Sequence, residues 1–194
     1  MQTRTLRRLG LAAALGLAGV LPAAAVASAT STTTGSPTAT AAVTAGTLSF
    51  VSTPGNITFP SLVLTGLDQT TTAQVPIDVS DSTGSGAGWN VTATSTQFSN
   101  GTNTLPDNSV TVQGAPSDTC DTGATCVLAT NSISYPYTLP AGTTAPTATK
   151  MFDAAVNTGM GNQTVTPTFT LSVPAGAYSG TYTSTVTFSL VTGP

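Results

Sequence analysis

The segments VTPTFTLSV (165–173) and YTSTVTFSL (182–190) alternate apolar and hydroxyl-bearing residues, with Ser184 the one hydroxyl in an apolar place. Val165, Phe169, Leu171 and Val173 fall on one side of an extended chain, as do Tyr182, Val186, Phe188 and Leu190. A period of two marks a strand with one face toward a core and the other toward water. Between the two segments, Pro174-Ala175-Gly176 and Ser179-Gly180 supply turn residues that fit a hairpin connection.

The same rule extends upstream. Val75, Ile77 and Val79 alternate with polar neighbours, as do Trp89, Val91 and Ala93, and on a shorter scale Val110 and Val112. Ile133, Tyr135, Tyr137 and Leu139 continue it, with Pro136 in the run pointing to an edge or a bulge. Met151 to Val156 allows one helical turn at most, and no stretch beyond residue 29 carries a helical period capped at both ends. The expected fold is all-β: an antiparallel β-sandwich or partly open barrel of about eight or more short strands.

Composition places this fold outside the cell. Arg4, Arg7 and Arg8 precede the apolar run Leu9 to Leu21, and Ala25-Val26-Ala27 and Ala27-Ser28-Ala29 offer small-residue cleavage sites. That order reads as a secretion signal over residues 1–29, too short in its apolar part to span a bilayer. Residues 30–44 are Thr, Ser, Ala, Gly and Pro with little to bury, and read as a flexible linker. Residues 45–194 are left as one domain with one core.

Beyond the signal, Lys150 stands alone against seven Asp, a net charge of 1 − 7 = −6. A surface this acidic has no electrostatic hold on phosphate backbones or anionic lipid, so neither nucleic acid nor membrane is an expected partner. Only 6% of the chain is charged, so solubility rests on hydroxyl and amide groups, with Thr the commonest residue. Cys120 and Cys126, the only cysteines, read in an oxidising compartment as a small disulfide loop. Closing so short a ring contributes about 2 kcal/mol.

Catalysis is hard to build from these residues. Without His or Glu there is no Ser-His-Asp or Cys-His arrangement, and a two-carboxylate mechanism would have to draw on the seven Asp. Asp78 and Asp81, and Asp118 and Asp121, sit at strand ends and turns where Asp is ordinary, and neither pair has the spacing of a known calcium loop. The expectation is a non-enzyme with no catalytic residues, no cofactor and no metal. Leu139-Pro140-Ala141-Gly142-Thr143 reverses the last two residues of a sortase signal and lies mid-chain, so surface attachment is expected to be non-covalent.

Two blocks carry a family likeness. The first is Gly88-Trp89-Asn90-Val91-Thr92-Ala93-Thr94, with Phe98 a few residues on. The second runs from Phe169-Thr170-Leu171-Ser172-Val173-Pro174 through Gly180-Thr181-Tyr182 to Phe188-Ser189-Leu190. Together they resemble the WxL domain of Gram-positive bacteria, whose two Trp-x-Leu motifs lie mid-domain and near the C-terminus. Here the motifs are Trp89-Asn90-Val91 and Phe188-Ser189-Leu190, each keeping an aromatic and an aliphatic residue two apart. The resemblance implies a cell-surface protein that binds peptidoglycan or an associated wall glycan non-covalently, with Trp89, Val91, Phe188 and Leu190 as motif residues.

Two accounts of those side chains stand side by side. Strand alternation alone would make both pairs core. Alternatively, an aromatic face stacks on a sugar ring, with Tyr135, Tyr137, Tyr178 and Tyr182 as further glycan-facing candidates. A separate reading makes the chain a structural subunit of a surface layer or fibre, assembling with other surface proteins through β-edges.

Overall fold

The computed structural model describes residues 34–194; the expected secretion signal, residues 1–29, lies outside the described residues. Residues 34–47 precede the first strand and are exposed almost throughout. Twelve strands follow: β1 (Leu48–Phe50), β2 (Gln69–Gln74), β3 (Ile77–Asp81), β4 (Trp89–Thr96), β5 (Val110–Val112) and β6 (Ser117–Cys120). The remainder are β7 (Tyr137–Thr138), β8 (Ala141–Gly142), β9 (Thr149–Ala154), β10 (Gly161–Thr166), β11 (Thr168–Val173) and β12 (Val186–Thr192). The protein is all-β. The segment that allowed a helical turn, Met151 to Val156, is largely strand β9, because Met151, Phe152 and Ala154 are drawn into the interior beside β4.

The strands form three open sheets, ordered β1-β3-β10-β6, β2-β11-β5-β7 and β12-β4-β8, with β9 also on β4. Every pairing is antiparallel except β4 with β8. Tyr137 and Thr138 lie on an edge strand, as Pro136 in the sequence anticipates.

Two prolines divide one long ribbon between two of these sheets. Gln74 pairs with Thr168 and Ile77 pairs with Val165 in a single unbroken register. Val75 therefore lies opposite Pro167, and Pro76 opposite Thr166. Neither proline has an N–H to give to the ladder, so pairing lapses at this crossing. Below it β3 and β10 belong to the first sheet; above it β2 and β11 belong to the second. The stretch 165–173, read as one strand, is two strands joined at Pro167 for this reason.

The hairpin expected between 173 and 182 does not form. β11 pairs with β2 and β5, whereas β12 pairs with β4 in the third sheet, so residues 174–185 cross from one sheet to another. Tyr182 and Ser184 precede β12 rather than belonging to it. The core between the sheets contains Trp89, Phe152, Phe169, Ile77, Leu139 and Met151, all essentially inaccessible.

Candidate functional site

β4 and β12 bring the two motifs side by side. Val91 lies directly opposite Leu190, Ala93 opposite Phe188, and Trp89 opposite Thr192. Residues directly opposite in an antiparallel pair share a face, so all four motif residues point into the same interior. The aliphatic residues meet in the middle of the pair and the two rings mark its ends.

Trp89 is 0% exposed. Its ring lies 5.8 Å from that of Phe152, and its indole Nε1 donates a 2.8 Å hydrogen bond to the Gly159 carbonyl. Two glycines make room for it. Gly88 has φ +74, and a Cβ there would collide with the Ala154 carbonyl; Gly159 has φ +72, and a Cβ there would collide with the indole nitrogen and Ala154. Val91 is equally inaccessible. No side chain of the first motif is exposed to solvent. Its strand is covered on the other side too. Asn90 is buried and donates to the Gly193 carbonyl at 2.6 Å, and Thr94 donates to the Pro146 carbonyl at 2.7 Å.

The second motif reaches the surface. Phe188 and Leu190 are half-buried and pack on the core, with the Phe188 ring 6.1 Å from Phe169. Phe188 also lines a cavity of about 700 Å³ with Phe50, Ile57, Phe98 and Tyr182. A second cavity, about 590 Å³, shares Ile57, Phe98 and Tyr182 with the first, and a third, about 610 Å³, shares Leu105, Tyr178 and Tyr182 with the second. They form one cleft in three compartments, with Tyr182 in all of them.

The cleft lies where regular structure gives out. One wall comes from residues 51–68 between β1 and β2, the other from residues 174–185 between β11 and β12. Connections longer than about 15 residues without strands of their own are uncommon unless they carry function. The floor is aromatic: Phe98 meets Phe59 edge-on at 6.1 Å, next to Phe188. Tyr182 donates to the Tyr178 carbonyl at 3.0 Å, and Tyr178 itself is 68% exposed.

The four tyrosines therefore separate. Tyr178 and Tyr182 line the cleft. Tyr137 is buried, and its hydroxyl meets Thr149 Oγ1 at 2.9 Å. Tyr135 is half-buried, donating to the Met151 carbonyl at 2.7 Å and accepting from Asn131. Burial raises both phenols above their ordinary value. Of the glycan-facing candidates, Tyr137 has its hydroxyl engaged inside the fold, and Tyr135 is anchored in the same way. The sequence reading missed Phe50, Ile57 and the rest of the wall from 51 to 68. Their only signal was an uncharged apolar stretch in which Ile57, Phe59, Leu62 and Leu64 follow one another without a regular period.

No carboxylate among the described residues lines the cleft. Asp118 accepts from the Ala129 N–H at 2.7 Å, while its other oxygen is buried without a partner. Burial pushes its carboxyl above the usual range, opposed by the N–H groups of Ala129 and Thr119. Asp78 is also raised, first by desolvation and then by the neighbouring Asp121 carboxylate. Among the described residues no three His, Cys, Asp or Glu side chains group as metal ligands would. Cys120 and Cys126 are joined by a disulfide, with Cα atoms 5.5 Å apart.

Residues 28–194 match the family described as WxL domain, surface cell wall-binding. The chain belongs to the WxL domain family. No curated protein and no solved structure matches it. The family places the chain among cell-surface domains that bind the wall. In this WxL domain the two motifs are paired strands of one sheet; the first is sealed in the core, and the second borders an open cleft.

Proposed function

We propose that this WxL domain is a secreted, non-catalytic protein of the Gram-positive cell surface that binds peptidoglycan non-covalently through the cleft above its second motif. Residues 45–194 would form the binding domain and residues 30–44 its linker. Within it, Trp89, Val91 and Leu190 hold the two motif strands together, Phe188 floors the site, and Tyr178 and Tyr182 face the ligand. The observation that carries this reading is the aromatic cleft between the two long irregular connections, where Tyr178 is 68% exposed. Concave sites of about 300–1,000 Å³ with apolar walls and a few polar groups suit small-molecule and sugar ligands. Tyrosine suits them further, joining an apolar face to a hydroxyl.

The test is co-sedimentation with purified peptidoglycan sacculi, comparing wild type with Tyr178→Ala and Trp89→Phe. Wild type is expected to pellet saturably. Tyr178→Ala, an exposed change, is expected to weaken pelleting about tenfold, the equivalent of one stacking or hydrogen-bonding contact. Trp89→Phe is expected to bind like wild type once folded. Failure of wild type to pellet on walls of several Gram-positive species would refute direct wall binding.

The alternative, a subunit of a surface layer or fibre, is favoured by β12, seven residues without proline at the edge of its sheet. It requires concentration-dependent self-association in the absence of wall, which sedimentation velocity would reveal.

A further inference from the structure

Peptidoglycan offers a binding protein several chemistries: a neutral strand of N-acetylated sugars, peptide stems bearing carboxylates and amines, and attached phosphate-rich polymers. These differ first in charge. None of the described residues lining the three compartments of the cleft is charged. The lining offers hydroxyls and amides instead. Ser52, Thr53 and Asn56 stand on one wall of the largest compartment, with Thr183 and Thr187 on the other. A hydroxyl both donates and accepts, so such a lining can match sugar hydroxyls and acetamides without specifying a charge.

The surroundings sharpen the distinction. Asp107 adjoins Pro106 on the rim, and Asp68 holds the Ala175 N–H at 2.8 Å beneath the 174–185 wall. Both would repel an anion. The only lysine among the described residues, Lys150, donates to the Pro194 carbonyl at 2.6 Å and does not line the cleft. Capture of carboxylate or phosphate draws on Arg or Lys forks and charge-assisted hydrogen bonds, and the cleft has neither. The aromatic floor of Phe98 and Phe188, with Tyr182 at the junction of all compartments, suits the apolar faces of successive sugar rings.

We infer that the cleft binds the uncharged glycan strand of the wall and makes no specific contact with peptide stems or anionic wall polymers. This rests on the wall-binding reading and adds to it the part of the wall that is recognised.

The test uses the purified protein in three arms: intact sacculi, bare glycan strands freed of stems by an amidase (with the lactyl carboxylates this exposes capped as neutral methylamides) and of anionic polymers by acid, and intact sacculi with soluble stem peptides or teichoic acid as competitors. Bare strands are expected to hold the protein within about threefold of intact sacculi, less than one hydrogen bond contributes. Neither competitor is expected to displace it. Asn56→Ala, an exposed change with no packing role, is expected to weaken binding to bare strands about tenfold. Retention on intact sacculi with loss on bare strands, or displacement by either competitor, overturns the glycan assignment and leaves wall binding standing. Absence of binding in every arm overturns both. Unchanged binding by both Asn56→Ala and Tyr178→Ala moves the site away from the cleft and overturns the assignment.

Discussion

Trp89→Ala removes the largest side chain of the interior from a site with no access to water. Such truncations cost about 3–5 kcal/mol, and here the Gly159 carbonyl also loses its indole donor. Trp89→Phe keeps most of the apolar area and forfeits that hydrogen bond, for an expected loss of about 1–3 kcal/mol. Guanidinium unfolding of both variants checks the order, and a Trp89→Ala protein as stable as wild type would contradict the buried geometry. Asp118 is one residue whose charge works against the fold. Its carboxyl titrates above the ordinary value of 3.8 in the folded protein, so the folded state holds that proton more tightly than the unfolded chain. Stability from this group is therefore greatest in acid and declines as pH rises from the unfolded value through the raised folded one. Asp118→Asn is expected to raise the melting temperature at pH 7, with the gain shrinking as pH falls toward 4. A gain of constant size across that range would assign the effect to packing rather than to charge.

Among the elements, the disulfide loop is local in reach. Cys120 pairs with Gln163 at one end of the loop, and just beyond the other end Val127 bridges Met160, so both ends rest along β10 and the residue before it. Replacing both cysteines with serine is expected to lower stability by about 2 kcal/mol, the loop-closure value, and to leave pelleting with sacculi unchanged because none of the described cleft lining comes from this loop. Thermal melts with and without reductant, followed by co-sedimentation, check both halves. The elements also mark what the sequence could express. Alternation revealed β4, β11 and β12 because a period of two reports which side chains share a face, but it does not report which strand lies alongside. That is why the turn residues at 174–180 suggested a hairpin where the chain changes sheets. Likewise Pro76 and Pro167 are plain in the sequence, while their near-opposition across one ribbon depends on a register that only pairing fixes. β4 went further against the pattern, since Asn90 and Thr94 are buried on the face expected to be wet. The cleft was the least legible part. Its wall from 51 to 68 has no period to read, and Tyr178 and Tyr182 could be separated from Tyr135 and Tyr137 only once their hydroxyl partners were placed.

At the scale of the whole molecule, charge makes the strongest demand. Residues 30–194 carry one Lys against seven Asp, and a wall rich in stem carboxylates and phosphate polymers is itself an anion. Long-range electrostatics therefore oppose the approach of this domain, so the contact that holds it must be short-range and uncharged. Salt distinguishes this arrangement from an ion-paired one. The Debye length falls from about 30 Å at 0.01 M to about 8 Å at 0.15 M, which screens the repulsion while leaving stacking and neutral hydrogen bonds in place. Pelleting with sacculi is accordingly expected to hold or strengthen as sodium chloride rises from about 0.01 to 0.15 M, mainly through faster association. A protein gripping stem carboxylates or phosphates through cations would show the reverse, losing affinity steeply across the same range. Affinity that falls with salt would therefore place the binding groups outside the uncharged cleft, whatever the response of Tyr178→Ala. Affinity that holds or rises leaves the neutral sugar strand as the component of the wall this acidic domain can approach.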